Sequence, residues 1–363
     1  MIAPLLAIWG RTAVAVLACV AGSTGFFLIG APAPWLTGAA LAGAIAALAG
    51  APPKVPPALL EAALLVLGCS LGAAIGPDSL NALWRWPLSI LALIVTVPLI
   101  VGTAQALLVH GFGWERREAT LAAVPGALAY CLAVAASERL DVRKIAIAQS
   151  VRLMTIVLLV PVLFRETAGL RPLSVLGAEG ANWHGVTLLL GLGLAGGLAL
   201  KRLGAPAALM LGGMLMSCIA HVSGLVTSPV PGWLLAPAVV MIGANVGSRF
   251  AGSSLNELGA MLAPSLAAVL ATFATSALAG AATAYLLGLP MLQTLLAFAP
   301  GGLDTIAVLV LTLKLDAAFV TVHQLVRFLS IAAGLPVVFR LLPAEAAPVV
   351  AEARSVDVYA DLP

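Results

Sequence analysis

Apolar segments about as long as a bilayer is thick follow one another along this chain. A membrane-spanning helix needs about 20 mostly apolar residues, whereas core helices and strands of soluble domains are usually shorter. The segments cover approximately residues 12–29, 34–50, 57–76, 86–110, 119–137, 145–164, 185–200, 206–222, 232–248, 258–288, 291–313 and 317–339. The chain therefore has room for ten to twelve membrane-spanning helices.

Composition agrees with a membrane protein and favours helices. Of 363 residues, 62% are hydrophobic and only 9% are charged, against about 25% charged residues in a typical soluble domain. The segments are continuous runs of Ala, Leu, Gly and Val, whereas strands of a membrane barrel alternate apolar with polar residues. The predicted fold class is an all-α integral membrane protein.

Several classes of partner and cofactor find no support in the sequence. The 18 Lys and Arg residues are scattered, with no basic run that indicates binding to nucleic acid. The four histidines are widely spaced, and the four cysteines lie inside apolar segments without a CxxC spacing, so no metal and no cofactor are expected. The expected partners are the lipid bilayer and a small molecule or ion. The oligomeric state is open, with a homodimer as one option.

The chain repeats itself once. The paired positions are Pro125 and Pro300, Gly126 and Gly301, Asp141 and Asp316, Gln149 and Gln324, Arg152 and Arg327, Pro161 and Pro336, Phe164 and Phe339, and Arg165 and Arg340. Each pair lies 175 residues apart (for example 300 − 125), and near the start 30–33 matches 204–207 at an offset of 174. Such a register indicates a tandem duplication. The predicted parts are repeat one (12–165), a linker (166–184), repeat two (185–340) and a soluble tail (341–363).

The distribution of positive charge does not orient the predicted spans. With twelve spans, eight Lys or Arg residues fall on each side of the membrane and Arg152 and Arg327 lie within spans. With ten spans, omitting segments 34–50 and 206–222, the split is nine to seven, which gives no clear bias. Five spans per copy, and hence inverted repeats, are favoured because each copy contains one interrupted helix, as inverted-repeat transporters commonly do.

Pro125-Gly126 and Pro300-Gly301-Gly302 interrupt apolar segments at matching places. Proline lacks an amide hydrogen, and a broken helix leaves carbonyl and amide groups without partners. At membrane depth such backbone persists only inside protein or beside a watery cavity. A simple kink is the alternative, but the same break in both copies favours a substrate-binding site.

Gln149 and Arg152, like Gln324 and Arg327, share one helix face in each copy. An arginine at mid-membrane costs about 2.5–3.5 kcal/mol on insertion scales, so a duplicated one needs a compensating role. Two roles are open. The guanidinium binds an anionic substrate, for which its geometry is suited, or it caps the free carbonyls of the neighbouring broken helix.

Asp304 lies just past the second break, and its counterpart in the first copy is Ala129. It is either an acid stabilised by the amides of a helix N-terminus or a proton or cation site coupled to transport. Because a paired charge costs far less than an isolated one in such surroundings, Asp304 and Arg327 are expected to form one polar cluster. Asp141 and Asp316 precede apolar helices and are predicted to be N-caps.

These motifs resemble the AbrB family of bacterial membrane proteins. The likeness is carried by Pro125-Gly126-Ala127-Leu128, Asp141-Val142 and Gln149-x-x-Arg152, and by Pro300-Gly301-Gly302-Leu303-Asp304, Asp316 and Gln324-x-x-Arg327. The family is a duplication of this unit, so the resemblance covers about 12–340 and implies a multi-pass protein of the bacterial inner membrane. An acidic residue often follows Pro-Gly in each copy of the family, and Ala129-Tyr130-Cys131 departs from that pattern. The family's two functional labels are regulator of gene expression and ammonia monooxygenase.

The predicted function is secondary transport of a small, anionic solute through a mid-membrane site where the two broken helices meet. The candidate substrate-binding residues are Pro125, Gly126, Gln149, Arg152, Pro300, Gly301, Gly302, Asp304, Gln324 and Arg327. A membrane-embedded regulator that acts indirectly is the main alternative. An ammonia monooxygenase is disfavoured because such an enzyme needs converging His or carboxylate ligands, so no enzymatic activity is expected.

Overall fold

The chain folds into helices that repeat in the same order. In a computed structural model the protein is described over residues 2–75, 86–126, 128–163 and 182–342. The first copy consists of α1 (Ile2–Leu28), α2 (Pro34–Leu48), α3 (Pro57–Ala73), α4 (Trp86–Phe112), α5 (Arg116–Ala123), α6 (Leu128–Ser137) and α7 (Val142–Leu163). Phe164, Arg165, almost all of the predicted linker 166–184 and residues 343–363 of the predicted tail lie outside the described residues.

The second copy reproduces the first helix by helix. It consists of α8 (Trp183–Arg202), α9 (Ala208–Val222), α10 (Gly232–Ser248), α11 (Leu255–Leu287), α12 (Met291–Phe298), α13 (Leu303–Thr312) and α14 (Ala317–Leu341). The C-terminal ends of corresponding helices differ by 174 or 175 residues in six of the seven described pairs, as 202 and 28 or 298 and 123 do, and by 178 residues in α7 and α14. The predicted all-helical membrane class is confirmed. Among the described helices, α4, α7, α8, α11 and α14 are by themselves long and apolar enough to cross a membrane.

The helix ends follow from local sequence. Asp141 accepts a hydrogen bond from the amide of Lys144 (2.9 Å), and Asp316 accepts one from the amide of Phe319 (3.0 Å). Both aspartates are therefore the N-caps that the sequence predicts. At the start of α11, Ser254 and Glu257 form a reciprocal capping box.

Glycines at helix contacts reveal the direction of each helix. A Cβ on Gly22 of α1 would meet Gly38 of α2, and the hydroxyl of Ser23 donates to the carbonyl of Trp35 (3.2 Å). Rising numbers in α1 thus meet falling numbers in α2, and the two helices are antiparallel. A Cβ on Gly43 would lie 3.3 Å from Pro53, so the chain turns back beside the end of α2 and α3 is antiparallel to α2.

The helices that contact each other across the two copies are parallel. In α3, a Cβ on Gly68 would meet the backbone of Met210, and the carbonyl of Cys69 accepts a hydrogen bond from Ser217 (2.6 Å). Numbers therefore rise together in α3 and α9, and α2 and α10 pair in the same way through Gly243 and Gly247. If α1 runs from face A of the membrane to face B, then α8 runs from B to A. The repeats are inverted, as the sequence predicts.

Ion pairs at the helix ends give the same directions. Lys201 at the end of α8 pairs with Glu61 near the start of α3 (2.5 Å), which places both at face A. Arg143 at the start of α7 pairs with Glu257 at the start of α11 (2.7 Å). Because α10 runs to face A and α11 follows it directly, α7 also starts at face A.

The Pro-Gly segments are hairpins that enter and leave the membrane at one face, not interrupted helices that cross it. Arg117 at the start of α5 pairs with Glu138 just after α6 (2.5 Å), and Glu118 pairs with Lys144 (2.6 Å). Arg117 and Glu138 are 21 positions apart and would lie far from each other in an interrupted helix that continued across the membrane in one direction. Hairpin one (α5 and α6) therefore returns to face A. Hairpin two (α12 and α13) lies between the end of α11 and the start of α14, both at face B.

The helices form two groups. One group contains α1, α2, α3, α8, α9 and α10, and the other contains the helices from α4 through α7 and from α11 through α14. The groups contact each other where α3 and α10 touch α13 and where α2 and α10 touch α7. Each copy thus contributes three helices to one group and a hairpin with two long helices to the other. The two hairpins lie where the groups meet.

This topology changes the charge count. Among the described residues face A carries ten Lys and Arg side chains: Lys54, Arg116, Arg117, Arg139, Arg143, Lys144, Lys201, Arg202, Arg249 and Arg340. Among the described residues face B carries Lys314, and Arg152 and Arg327 lie inside the bundle. The expectation of an even split is wrong because it counted each hairpin as a crossing. Within the described residues the count is ten to one, and the positive-inside rule then predicts that face A is the cytoplasmic side.

Candidate functional site

The tip of hairpin one exposes backbone carbonyls inside the protein. Helix α5 ends at Ala123, and Gly126 adopts a left-handed conformation (φ 82°) before α6 begins. Pro125 has no amide hydrogen to offer to the preceding turn. The last carbonyls of α5 therefore have no partner within their own helix.

Two side chains of α7 satisfy these carbonyls. Arg152 is 6% exposed and donates to the carbonyls of Ala122 (3.0 Å), Ala123 (3.2 Å) and Val124 (2.7 Å). Gln149 donates to the carbonyl of Leu121 (2.7 Å). Of the two roles left open by the sequence, Arg152 thus has carbonyl capping. The buried charge is stabilised by the negative end of a short helix.

The second copy repeats this arrangement. Arg327 is 2% exposed and donates to the carbonyls of Ala299 and Gly301. Gln324 donates to the carbonyls of Leu296 (3.0 Å) and Ala297 (3.2 Å). No ion pair joins Arg327 to Asp304 within 4.0 Å, so the expected polar cluster does not take the form of a direct pair. The carbonyls already provide the compensation that a carboxylate was expected to supply.

The two hairpin tips touch each other. A Cβ on Gly126 would lie 2.8 Å from the carbonyl oxygen of Gly301 and 3.2 Å from a guanidinium nitrogen of Arg327. The positive φ and this contact both require glycine at position 126. Hairpin one comes from face A and hairpin two from face B, so their meeting point lies inside the membrane.

A cavity of about 450 Å³ lies beside the tips. Seven predicted site residues line it: Gly126, Gln149, Arg152, Pro300, Gly301, Gly302 and Asp304. Pro125, Gln324 and Arg327 do not line it, and the last two lie behind the tip of hairpin two. The rest of the wall is largely apolar: Leu64, Leu128, Leu153, Ile156, Pro206, Ala207, Leu303, Leu325 and Phe328. The structure therefore brings most of the predicted residues to one cavity.

Arg249 and Tyr130 also line this cavity and were missed from the sequence. Arg249 directly follows α10, where a charge usually marks a membrane interface, and its counterpart Ala74 supplied no repeated signal. Tyr130 lies on α6, and its counterpart in the second copy is Thr305. Tyr130 also lines a second cleft of about 450 Å³ with Arg117, which connects its position to the base of hairpin one at face A.

Asp304 lies in the first turn of α13 with its carboxylate at the cavity wall. One carboxylate oxygen, Oδ1, accepts a hydrogen bond from the amide of Thr305 (2.9 Å). Its charge interacts with the guanidinium of Arg249. The two groups share the cavity without a direct ion pair within 4.0 Å.

A comparison with models of protein families identifies the family of this chain. A family model described as "Transition state regulatory protein AbrB" matches residues 35–343, which span α2 through α14. The chain belongs to the AbrB family. The predicted family resemblance is confirmed.

Two relatives of this AbrB-family chain are bacterial proteins. It is 28% identical over 332 residues to a protein of Escherichia coli (strain K12) named "Putative regulator AbrB", covering 88% of this chain and 93% of that protein. It is 31% identical over 150 residues to "Uncharacterized protein YhjN" of Bacillus subtilis (strain 168), covering 40% and 39% of the two chains. No solved structure matches.

Other polar groups of the AbrB-family bundle are bound to neighbours. His323 is fully buried, and its Nδ1 lies 2.7 Å from the carbonyl of Phe319 while Nε2 lies 2.8 Å from the hydroxyl of Ser89. With Nδ1 protonated, the neutral ring donates to that carbonyl and accepts from the serine, so it serves as a packed hydrogen-bonding residue. Within the described ranges, no three His, Cys, Asp or Glu side chains cluster as metal ligands would.

Proposed function

We propose that this AbrB-family protein is a secondary transporter that moves a small anion across the membrane through the cavity at the hairpin tips. Inverted repeats with discontinuous helices meeting at mid-membrane are typical of such transporters. The cavity has Arg249 and Arg152 in its wall and Arg327 directly behind it, against one carboxylate, Asp304. An excess of positive charge favours an anionic solute.

One observation carries this proposal: the cavity wall reaches residues near face A, whereas the counterparts of these residues near face B enclose no comparable space. Toward face A its wall includes Leu64 and the turn Pro206-Ala207 between α8 and α9. The counterparts of these residues at face B are Val239 and the turn Pro32-Ala33. There the space between Ala33, Val239, Val308 and Thr312 has no room for a water molecule.

Such a difference between two copies of one sequence is what alternating access requires. Inverted repeats can exchange their conformations, and that exchange closes one face and opens the other. Ala33 and Ala207, at matching turns, both adopt a strained left-handed conformation, with φ of 48° and 45°. Non-glycine residues in this region cost about 1–3 kcal/mol and cluster at switch regions. We assign face A to the cytoplasm, so the described conformation is open inward.

The test is labelling of matched cysteines, Leu64→Cys and Val239→Cys, in a variant without the four native cysteines. Val239 is 1% exposed, so an impermeant maleimide is expected to label Leu64→Cys from the cytoplasmic side and to label Val239→Cys from neither side. A substrate or a mutation that reverses the conformation should exchange the two results. Equal labelling of both positions in the resting protein would contradict alternating access.

A regulator is the second candidate, supported by the printed name of the Escherichia coli relative. Such a protein would sense a ligand in the same cavity and signal through a polar segment such as 343–363. Removing 343–363 separates the two functions. Loss of a transcriptional response with one-sided labelling unchanged would favour the regulator.

A further inference from the structure

The three arginines at the cavity differ in their bonding. Arg152 and Arg327 direct their guanidinium groups to backbone carbonyls of the hairpin tips. Arg249, by contrast, is partly exposed and lines the cavity. Within the part of the chain that the structure describes, no hydrogen bond or ion pair of its guanidinium to another group is found. Arg249 is therefore the guanidinium that is available to a ligand.

Arg249 and Asp304 are additions to an otherwise repeated frame. Their counterparts in the first copy are Ala74 and Ala129, whereas the capping pairs Gln149 with Arg152 and Gln324 with Arg327 occur in both copies. Groups that support the hairpins are duplicated, and the cation and anion at the cavity wall are not. This indicates that the pair serves recognition rather than support of the fold.

We propose that Arg249 binds the carboxylate of a small organic anion in the cavity, and that Asp304 takes up a proton when that anion binds. This inference rests on the proposed transport function and names its substrate class and coupling ion. The proton comes from water on the side to which the cavity is open. It forms an O–H bond on the Asp304 carboxylate and is released again when the anion leaves.

The cavity favours a carboxylate over a phosphate. A guanidinium binds a carboxylate through two parallel hydrogen bonds, and Arg249 alone can provide them. A phosphate dianion needs more donors than this wall offers, since most of its residues are apolar. The apolar wall suits the hydrocarbon part of an organic acid.

Proton uptake follows from the charges around Asp304. Helix α13 packs against α14, α3 and α10; the ionisable groups that face its first turn are Arg249 after α10 and Arg327 on α14, with Arg152 and Tyr130 across the cavity. The carboxylate attracts Arg249 and repels an anion that binds there. Protonation removes both effects, so proton and anion are expected to bind together.

The experiment measures anion binding by thermal unfolding of the purified full chain. Acetate, butyrate, benzoate and succinate are titrated from pH 5.5 to 8.0, with butyramide and inorganic phosphate as comparison ligands. A ligand that binds only the folded protein raises Tm, and the concentration dependence gives Kd. We expect at least one carboxylate to bind, with Kd rising as the pH is raised across this range.

Three variants assign the roles. Arg249→Gln should weaken carboxylate binding about ten- to hundredfold, the range for losing hydrogen bonds to a charged group. Asp304→Asn should bind at all pH values with no pH dependence. Arg202→Gln, which removes an exposed arginine at the same face, is the control and should match the wild type. If Arg249→Gln does not fold, Arg249→Lys replaces it and should bind at least several-fold more weakly.

Several results would overturn the inference. These are the absence of a shift with all four carboxylates, equal binding of butyramide, unchanged affinity in both Arg249 variants, or a pH dependence that persists in Asp304→Asn. The labelling of Leu64→Cys and Val239→Cys needs no ligand. One-sided labelling without carboxylate binding would therefore reject the carboxylate and keep the transporter, whereas two-sided labelling would reject the transport function itself.

Discussion

Replacing Arg152 with methionine should destabilise the fold, whereas the same change at Arg249 should impair only binding. Arg152→Met leaves the carbonyls of Ala122, Ala123 and Val124 buried without a donor. A stranded buried acceptor costs about 1–3 kcal/mol, so three cost roughly 6 kcal/mol. The variant recovers about 3 kcal/mol because no arginine has to enter the membrane interior. The net loss is about 3 kcal/mol.

The assay is thermal unfolding in detergent, with carboxylate binding measured on the same samples. At roughly 2 °C per kcal/mol for a chain of this size, Tm of Arg152→Met should fall by about 6 °C. Arg249→Met strands no acceptor among the described residues and should stay within about 1 kcal/mol of the wild type. A smaller loss of Tm in Arg152→Met than in Arg249→Met would refute the division into a supporting and a binding arginine.

Three further changes test individual contacts. Gly126→Ala should lower Tm by several degrees because its Cβ would meet the carbonyl oxygen of Gly301 in a strained backbone conformation, while Gly25→Ala, which meets nothing within 4 Å, should be neutral or slightly stabilising; equal Tm values would contradict the contact. Gln149→Ala should cost about 1–3 kcal/mol by stranding one carbonyl without weakening carboxylate binding, and weakened binding at unchanged Tm would instead make the glutamine a ligand. A density map at high resolution should show one water in the cavity of about 10 Å³ beside Arg152 and Ser265, whose buried hydroxyl lacks a partner; a dry cavity would refute this.

The duplicated arrangement of helices could be predicted because the same sequence motifs occur in both copies. Pro125-Gly126 and Pro300-Gly301 recur in one register, and the same register appears in all seven helix pairs. The hairpins could not be distinguished from crossing helices. Helices α5 and α6 together are as long as one membrane span, and it is the ion pairs of Arg117 with Glu138 and of Glu118 with Lys144 that show that the chain turns back. The orientation of the helices in the membrane could not be predicted for the same reason, because counting each hairpin as a crossing evened out the positive charges on the two faces.

The errors at the site have a common physical origin. The sequence shows which charges are buried, but not which backbone groups they meet. Arg327 was assigned to Asp304 by energetic reasoning, and that reasoning correctly required a partner, but carbonyls of the hairpin tip were closer. Arg249 was overlooked because a charge at a helix end needs no special explanation. Its place in the cavity depends on the packing of α10 against α7 and α13, and no local sequence pattern predicts that packing.

Repeated and unrepeated residues thus divide the work of the two copies. Gln149 and Arg152, like their counterparts, cap the carbonyls of the hairpin in their own copy, and both copies need them because each hairpin exposes the same carbonyls. A frame with this symmetry can adopt two equivalent conformations, which alternating access requires. Recognition has no such need, since one ligand occupies one cavity. Arg249 and Asp304 can therefore occur in a single copy and still serve both conformations, because the hairpin tips and the cavity between them lie near the axis that relates the repeats.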